Sequence, residues 1–317
     1  MKLLVTGGAG YIGSVVAGHL IEDGHDVTVL DDLSTGHRDA VHPDATFVRA
    51  DVHDAAQVLR PDARFDGVVH LAAKSLVGES VGKPDLYWAN NVEGTRALLE
   101  AMRAGGVERL VFSSTAAVYG EPERVPITED LATAPTSPYG STKLAVDLMI
   151  RDYAHTFGLR AVSLRYFNVA GAWHGFGERH GTETHLIPIA LQVAAGTRPY
   201  LAIFGDDYPT PDGTGVRDYI HVADLAAAHL LALAGAEPGH AVFNLGNGAG
   251  FSVRQVVDTV RSVTGRDVAT VVAERRAGDP AVLVASSDRI RAQLGWIPRR
   301  PDLATMVADA WEFAQSR

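Results

Sequence analysis

Two residues with the types and spacing for proton chemistry stand in Pro138-Tyr139-Gly140-Ser141-Thr142-Lys143. Tyr139 and Lys143 are one helical turn apart at the head of a predicted helix, which places both side chains on one face. A phenol with a reference pKa near 10 is a poor base at neutral pH and needs positive charge beside it. An ammonium about 5 Å away, at an effective dielectric near 20, contributes roughly 3 kcal/mol, or roughly two pKa units. Upstream, Phe112-Ser113-Ser114-Thr115-Ala116-Ala117-Val118-Tyr119-Gly120 follows a predicted strand and supplies hydroxyls at the carboxyl edge of a sheet, with Thr115 the one to set against a reacting oxygen. Taken singly, Tyr139 reads as a half-buried aromatic, Lys143 as a solvated helix residue and Thr115 as a loop cap.

The N-terminal run Thr6-Gly7-Gly8-Ala9-Gly10-Tyr11-Ile12-Gly13 changes that reading. Gly7, Gly10 and Gly13 form a glycine turn between a predicted strand and helix. Small residues there let the backbone approach a pyrophosphate seated on the helix N-terminus. About twenty residues on, the second strand ends in Val29-Leu30-Asp31-Asp32, where an acid accepts hydrogen bonds from ribose hydroxyls. Asp31 would repel a 2′-phosphate, so NAD is favoured over NADP. Asp51, after the third strand, is placed to face the adenine or to be an ordinary turn residue. A bound nicotinamide cation adds to the ammonium of Lys143, and together they predict a near-neutral pKa for Tyr139, where a general base works best.

The elements that must position these groups alternate. Strand candidates are Leu3–Thr6, Val27–Leu30, Thr46–Ala50, Val68–Leu71, Leu110–Ser113 and Ala161–Leu164, with helical patterns after most of them, the signature of a parallel sheet. Helices are predicted over Tyr87–Ala104, with Val92, Leu98, Leu99 and Met102 near one face, and over Pro138–Phe157. Around residue 170 the texture turns to loops, Gly171–Gly181 and Tyr208–Gly213. Periodicity then returns with a helix at His221–Ala234, a strand at Val242–Leu245 and a helix capped by Ser252 and running to Thr264. The expected fold is α/β: a Rossmann-type doubly wound parallel sheet with a smaller, interleaved C-terminal substrate domain. Residues 1–170, with 215–248 contributing, form the first unit and 171–317 the second.

Of the 317 residues, 46% are hydrophobic and 21% charged, a globular composition. Lys plus Arg number 28 against 38 Asp plus Glu, a formal charge of -10, which argues against nucleic acid. Cysteine is absent, which removes disulfides, thiolate nucleophiles and cysteine-ligated metals. No signal-peptide core or membrane-length apolar stretch is seen, so a soluble cytoplasmic protein is expected.

With TGGAGYIG, the FSST run and YxxxK the chain resembles the extended short-chain dehydrogenase/reductases, which implies NAD chemistry on a sugar nucleotide. The closer likeness lies in the second half. Arg165-Tyr166-Phe167-Asn168, the stretches Leu201–Thr210 and Asp212–Val222, and Arg275-Arg276-Ala277-Gly278-Asp279 resemble the UDP-galactose 4-epimerase family over nearly the whole chain. The resemblance implies Thr115, Tyr139 and Lys143 as the catalytic group. It implies cofactor contacts at Gly7, Gly10, Tyr11, Ile12, Gly13, Asp31, Asp51, Val52, Leu71, Ala72, Ala73, Asn90, Tyr139, Lys143 and Phe167. Contacts to a UDP-hexose fall on Thr115, Asn168, His185, Ala202, Ile203, Phe204, Arg217, Arg276 and Asp279, with Leu283 near C2 of the sugar. Guanidinium forks at Arg217 and Arg276 suit a diphosphate, and Asp279 can accept ribose hydroxyls.

The implied reaction is oxidation at C4 to a 4-keto sugar and reduction on its other face, with NAD regenerated. Other nucleotide-sugar epimerases and a decarboxylase share the scaffold. A 4,6-dehydratase typically needs an acidic pair where Ala116 and Ala117 stand, and a protein that merely senses NAD has no use for Tyr139 and Lys143. Lys74 in His70–Ser75 sits one place earlier than the family form, which leaves its contact with the cofactor open, and His185 stands where asparagine is common. His174, His180 and His185 match no metal motif by spacing, so no metal is expected and solvent-facing loop histidines are. The family's pairing through two helices per subunit implies a homodimer through Tyr87–Ala104 and Pro138–Phe157.

Overall fold

Leu3, Leu4 and Val5 have no exposed surface, because successive side chains of one strand enter cores on opposite faces of a sheet. In the computed structural model, which describes residues 1–276 and 278–317, the strands of the first half are β1 (Lys2–Thr6), β2 (Asp26–Asp31), β3 (Thr46–Arg49), β4 (Gly67–His70), β5 (Arg109–Thr115) and β6 (Arg160–Tyr166). They are followed by β7 (Asn168–Ala170), β8 (Leu201–Phe204), β9 (Val216–His221), β10 (Gly239–Leu245), β11 (Gly250–Ser252), β12 (Thr270–Ala273) and β13 (Val282–Leu283). The helices are α1 (Tyr11–Glu22), α2 (Val77–Gly82), α3 (Pro84–Tyr87), α4 (Gly94–Gly105), α5 (Pro138–Phe157), α6 (Leu186–Ala194), α7 (Val222–Ala234), α8 (Val253–Thr264), α9 (Asp288–Leu294) and α10 (Leu303–Gln315).

The main sheet has seven strands in the order β10-β6-β5-β4-β1-β2-β3, all paired in parallel. Leu3 and Val5 join a core with Val15, Val16 and Leu20 of α1 and Leu225, Ala226 and Leu233 of α7. Leu4 joins the opposite core with Leu98, Leu99 and Met102 of α4 and Val146 and Ile150 of α5. This is the doubly wound sheet the βα alternation predicts. Because β1 is flanked by β2 on one side and β4 on the other, a crevice opens at the carboxyl ends of these strands, where such folds bind ligands.

The chain leaves the sheet after β6 and returns to it. Helix α7 and strand β10 complete its edge, while β9 belongs to a second sheet, pairing with β11, β13 and β7. Strands β8 and β12 form a separate parallel pair. A third core of α6, α8 and α10, with Leu191, Val257, Met306 and Val307, supports this second region. Ser252 closes a full capping box with Gln255 at the head of α8, as its position predicts.

One predicted helix is not a single element. The stretch expected over Tyr87–Ala104 begins at Pro84 and passes through a π-helical segment, Trp88–Glu93, before α4. The wider turn inserts a residue into the helical ladder. Asn91 is thereby buried, while Asn90 lines the crevice.

Candidate active site

Ser137 caps α5 by accepting from the Gly140 N–H at 3.2 Å, and Pro138 occupies the first turn. This starts the helix so that Tyr139 and Lys143 both face the crevice with Thr115 of β5. Lys143 Nζ donates to the Ser113 carbonyl at 2.7 Å and lies 6.0 Å from the Tyr139 ring centre. Burial pushes the Tyr139 phenol up to about 12, opposed by hydrogen bonding with Thr115. Burial pushes Lys143 down to about 8, opposed by the Asp147 carboxylate. The expectation of a near-neutral Tyr139 is therefore corrected for the protein by itself: loss of solvation dominates.

The glycine turn lies at the other end of the crevice. Gly7 has φ +72°, and a Cβ at Gly13 would sit 2.1 Å from the Gly7 carbonyl oxygen, so neither position tolerates a side chain. The tight turn leaves the first N–H groups of α1 facing open space, the cradle a pyrophosphate fills. Asp31 accepts from the N–H of Ala9 at 3.0 Å and of Leu33 at 2.8 Å, which fixes its carboxylate with lone pairs to spare for a ribose. These residues fit a dinucleotide. Gly10, Tyr11, Ile12, Asp51, Val52, Leu71, Ala72, Ala73, Asn90, Phe167, Asn168 and His185 line the same crevice. Lys74 lines it too, with its backbone clamped by Asn91, whose Oδ1 accepts from the Lys74 N–H at 2.8 Å. Buried His70 ties the ends of β1 and β4 to α4 through Thr6 at 2.7 Å and Thr95 at 2.8 Å.

Seven of the predicted substrate residues do not line this crevice. Arg217 and Asp279, expected to hold a diphosphate and a ribose separately, pair with each other. The Arg276 guanidinium stacks 3.9 Å over the Phe204 ring. Ala277 lies outside the described residues. Ile203 turns its side chain into the α6–α8 core, so of this residue only the backbone is free for a ligand, along the open edge of β8. Leu283 packs with Phe167 against Val118, Tyr119 and Ile127. This group adjoins the crevice through β9, where the residue two beyond Arg217, Tyr219, is in register with Asn168.

Of the three histidines expected to face solvent, His174 and His185 are exposed and His180 is half-buried. His174 stacks on Trp173 at the surface, whereas His180 and His185 converge with Glu178 and Glu183. Sequence reasoning also passed over Ser113 and Tyr166, whose hydroxyls hydrogen-bond beside Lys143. Behind them lies a buried network. Arg165 donates to Asp147 Oδ2 from Nε at 3.0 Å and Nη2 at 2.9 Å, and to the Tyr119 hydroxyl at 3.0 Å.

The family model for the NAD dependent epimerase/dehydratase family matches residues 3–246. The chain is 59% identical over 317 residues to the UDP-glucose 4-epimerase of Corynebacterium glutamicum, covering 100% of this chain and 96% of that protein. It is 61% identical over 320 residues to the UDP-glucose 4-epimerase of Streptomyces lividans, covering 99% and 96%. The crystal structure of UDP-glucose 4-epimerase from Brucella ovis in complex with NAD matches with a TM-score of 0.95 at 46% identity, over 98% of this chain and 97% of that one.

Proposed function

Because the chain belongs to the NAD dependent epimerase/dehydratase family, we propose that Tyr139, Lys143 and Thr115 invert the C4 hydroxyl of a UDP-hexose bound across the crevice. The chain interconverts UDP-galactose and UDP-glucose with NAD as its cofactor. The observation that carries the assignment is that Tyr139, Thr115 and Lys143 face the one crevice that begins at the glycine turn, with the Lys143 ammonium 6.0 Å from the Tyr139 ring centre.

Bound NAD would supply the hydride acceptor, and in reduced form the hydride donor, for C4. The N–H groups of Tyr11 and Ile12 would hold its pyrophosphate and Asp31 its adenosine ribose. Thr115 orients the sugar O4 toward Tyr139, which takes the proton as C4 becomes a ketone and returns it when the opposite face is reduced. Lys143 keeps positive charge beside the phenol throughout. Arg217 and Arg276 grip the diphosphate, and Arg217 exchanges part of its contact with Asp279 for phosphate oxygens. A firm grip on UDP and a loose one on the hexose let the ketose turn over. Residues 1–170, joined by α7 and β10, form the NAD unit, and the rest holds UDP. Ala116 and Ala117 leave a 4,6-dehydratase without the acid pair it needs. Exposed Leu86 and Trp88, in the helical stretch before α4, and Leu148 and Phe157 of α5 support a homodimer through these helices. No helix among the described residues is long and apolar enough to cross a membrane, in keeping with a cytoplasmic enzyme.

Incubating the purified protein with UDP-galactose, with no NADH added, tests this reading. UDP-glucose must appear, and its absence refutes the assignment.

Two finer expectations follow from particular residues. Asp31→Ala narrows the preference for NAD over NADP by removing the carboxylate that repels a 2′-phosphate. Dissociation constants for both cofactors in both proteins measure it, and a wild type that prefers NADP sinks the ribose assignment. Leu283 fills less room than tyrosine and more than glycine. UDP-glucose and UDP-galactose are therefore the preferred pair, with weak activity on the N-acetylated sugars, since one pocket residue discriminates by about 1–3 kcal/mol. Leu283→Tyr abolishes that side activity and Leu283→Gly raises it. If the ratio of specificity constants is unchanged in both, Leu283 serves only the packing beside Phe167.

A further inference from the structure

In the loop that leads into α6, four side chains from an eight-residue stretch converge. One ligand atom each from Glu178, His180, Glu183 and His185 lies within 4.8 Å of all the others. Glu178 Oε1 is 2.9 Å from His180 Nδ1 and 2.8 Å from His185 Nδ1. Glu183 presents Oε1 2.9 Å from His185 Nδ1 and Oε2 3.7 Å from His180 Nδ1. A tetrahedral zinc site with bonds of about 2.0–2.2 Å has ligand–ligand edges of roughly 3.3–3.5 Å, and the four separations straddle that length.

Counting hydrogens separates this arrangement from an ordinary ion pair. Each Nδ1 carries at most one hydrogen, yet each faces two carboxylates. His180 Nδ1 is closed to solvent and makes no hydrogen bond of acceptable geometry. The carboxylates themselves are 9% and 7% exposed, so water does little to relieve two negative charges held together. We propose that Glu178, His180, Glu183 and His185 bind one divalent transition-metal ion. Two imidazoles and two carboxylates in this shape match zinc best.

The position gives the ion a task. Glu178, His180 and His185 line the crevice, and His185 is the N-cap residue of α6. From the other side the loop is fastened to the segment after β2, by Arg179 on Asp39 at 2.9 Å and His37 on the Arg179 carbonyl at 3.0 Å. An ion here cross-links the loop to the first turn of α6. It also offsets two carboxylates beside a crevice that takes diphosphates. Coordination through Nδ1 leaves Nε2 of His185 for the contact with substrate.

Cobalt(II) added to the chelator-treated, NAD-loaded enzyme tests the site. The expected result is one ion per chain, with visible d–d bands of tetrahedral intensity that zinc(II) displaces. His180→Gln and Glu183→Gln each weaken zinc binding by ~100-fold or more in a competition assay with a chromophoric chelator. Substoichiometric binding, octahedral spectra, or undiminished affinity in both variants overturns the proposal. Should the variants not fold, ¹⁵N chemical shifts of the wild-type histidines with excess zinc decide it. Two rings that stay imidazolium mean a proton-bridged cluster and no metal site.

Discussion

Tyr139→Phe loses about 10²- to 10⁴-fold in kcat, the usual contribution of a positioned acid–base group, while its NAD content stays at the wild-type level. Phenylalanine keeps the ring and removes only the hydroxyl that meets Thr115, and the glycine turn is untouched. The energetics show why no neighbour substitutes for it. Burial holds the phenol at about 12, and bringing it to neutral pH requires roughly 7 kcal/mol. Lys143, 6.0 Å from the ring centre, already stands beside the phenol at that value. The drop therefore falls to the positive charge of bound NAD and to proton loss concerted with oxidation at C4, so Tyr139 is an effective base only in the loaded enzyme. Single-turnover rates with UDP-galactose and NAD content after purification measure both halves of the expectation. Turnover near wild type removes Tyr139 from the reaction. Loss of NAD instead makes it part of the cofactor site.

The largest effect on stability is expected at Arg165→Met. Arg165 and Asp147 pair with side chains only 8% and 4% exposed. Ser114 adds a hydrogen bond to the same Asp147 oxygen at 3.2 Å, and the pair continues through Tyr119 to Asn244 at 2.7 Å. Removing the guanidinium strands a buried carboxylate, a loss of about 3–5 kcal/mol. Asp147→Leu combined with Arg165→Met recovers most of it, because two apolar groups of similar volume need no partner. Urea midpoints at fixed, saturating NAD measure the effect, since ligand binding itself shifts stability. A double variant as unstable as the single one shows that the pair acts through packing and not through charge.

What was legible in the sequence is what depends on neighbours along the chain. The alternation of apolar strands and amphipathic helices, the glycine turn and Asp31 at the end of β2 are local patterns, and they gave the doubly wound sheet and the NAD crevice. Tyr139 and Lys143 were legible because four residues is one turn, and the likeness to the epimerases holds over the whole chain. Their electrostatic balance was not. Spacing yields the ammonium's contribution, but depth of burial comes only with the fold. The π-helical turn at Trp88–Glu93 breaks a periodicity that looked continuous, so the clamp on Lys74 by Asn91 was missed. Arg217 and Asp279 meet across 62 positions of chain, which no local pattern encodes. Glu178, His180, Glu183 and His185 lie close in sequence, yet a loop has no period, and their convergence depends on its path.

The pairing of β10 with β6, from Gly239 opposite Arg160 to Leu245 opposite Tyr166, has a consequence for how the protein is made. On the ribosome the free edge of β6 emerges about 80 residues before its partner strand, a wait of roughly 4–16 s at about 5–20 residues per second. Throughout that wait an apolar parallel strand offers unpaired N–H and C=O groups to any other nascent chain. Synthesis that stalls inside this window yields a product destined for chaperones or aggregates. A gene split just after the codon for Leu245 gives a first fragment with all seven strands of the main sheet, whereas a split near codon 170 gives one in which β6 has no partner on its outer side.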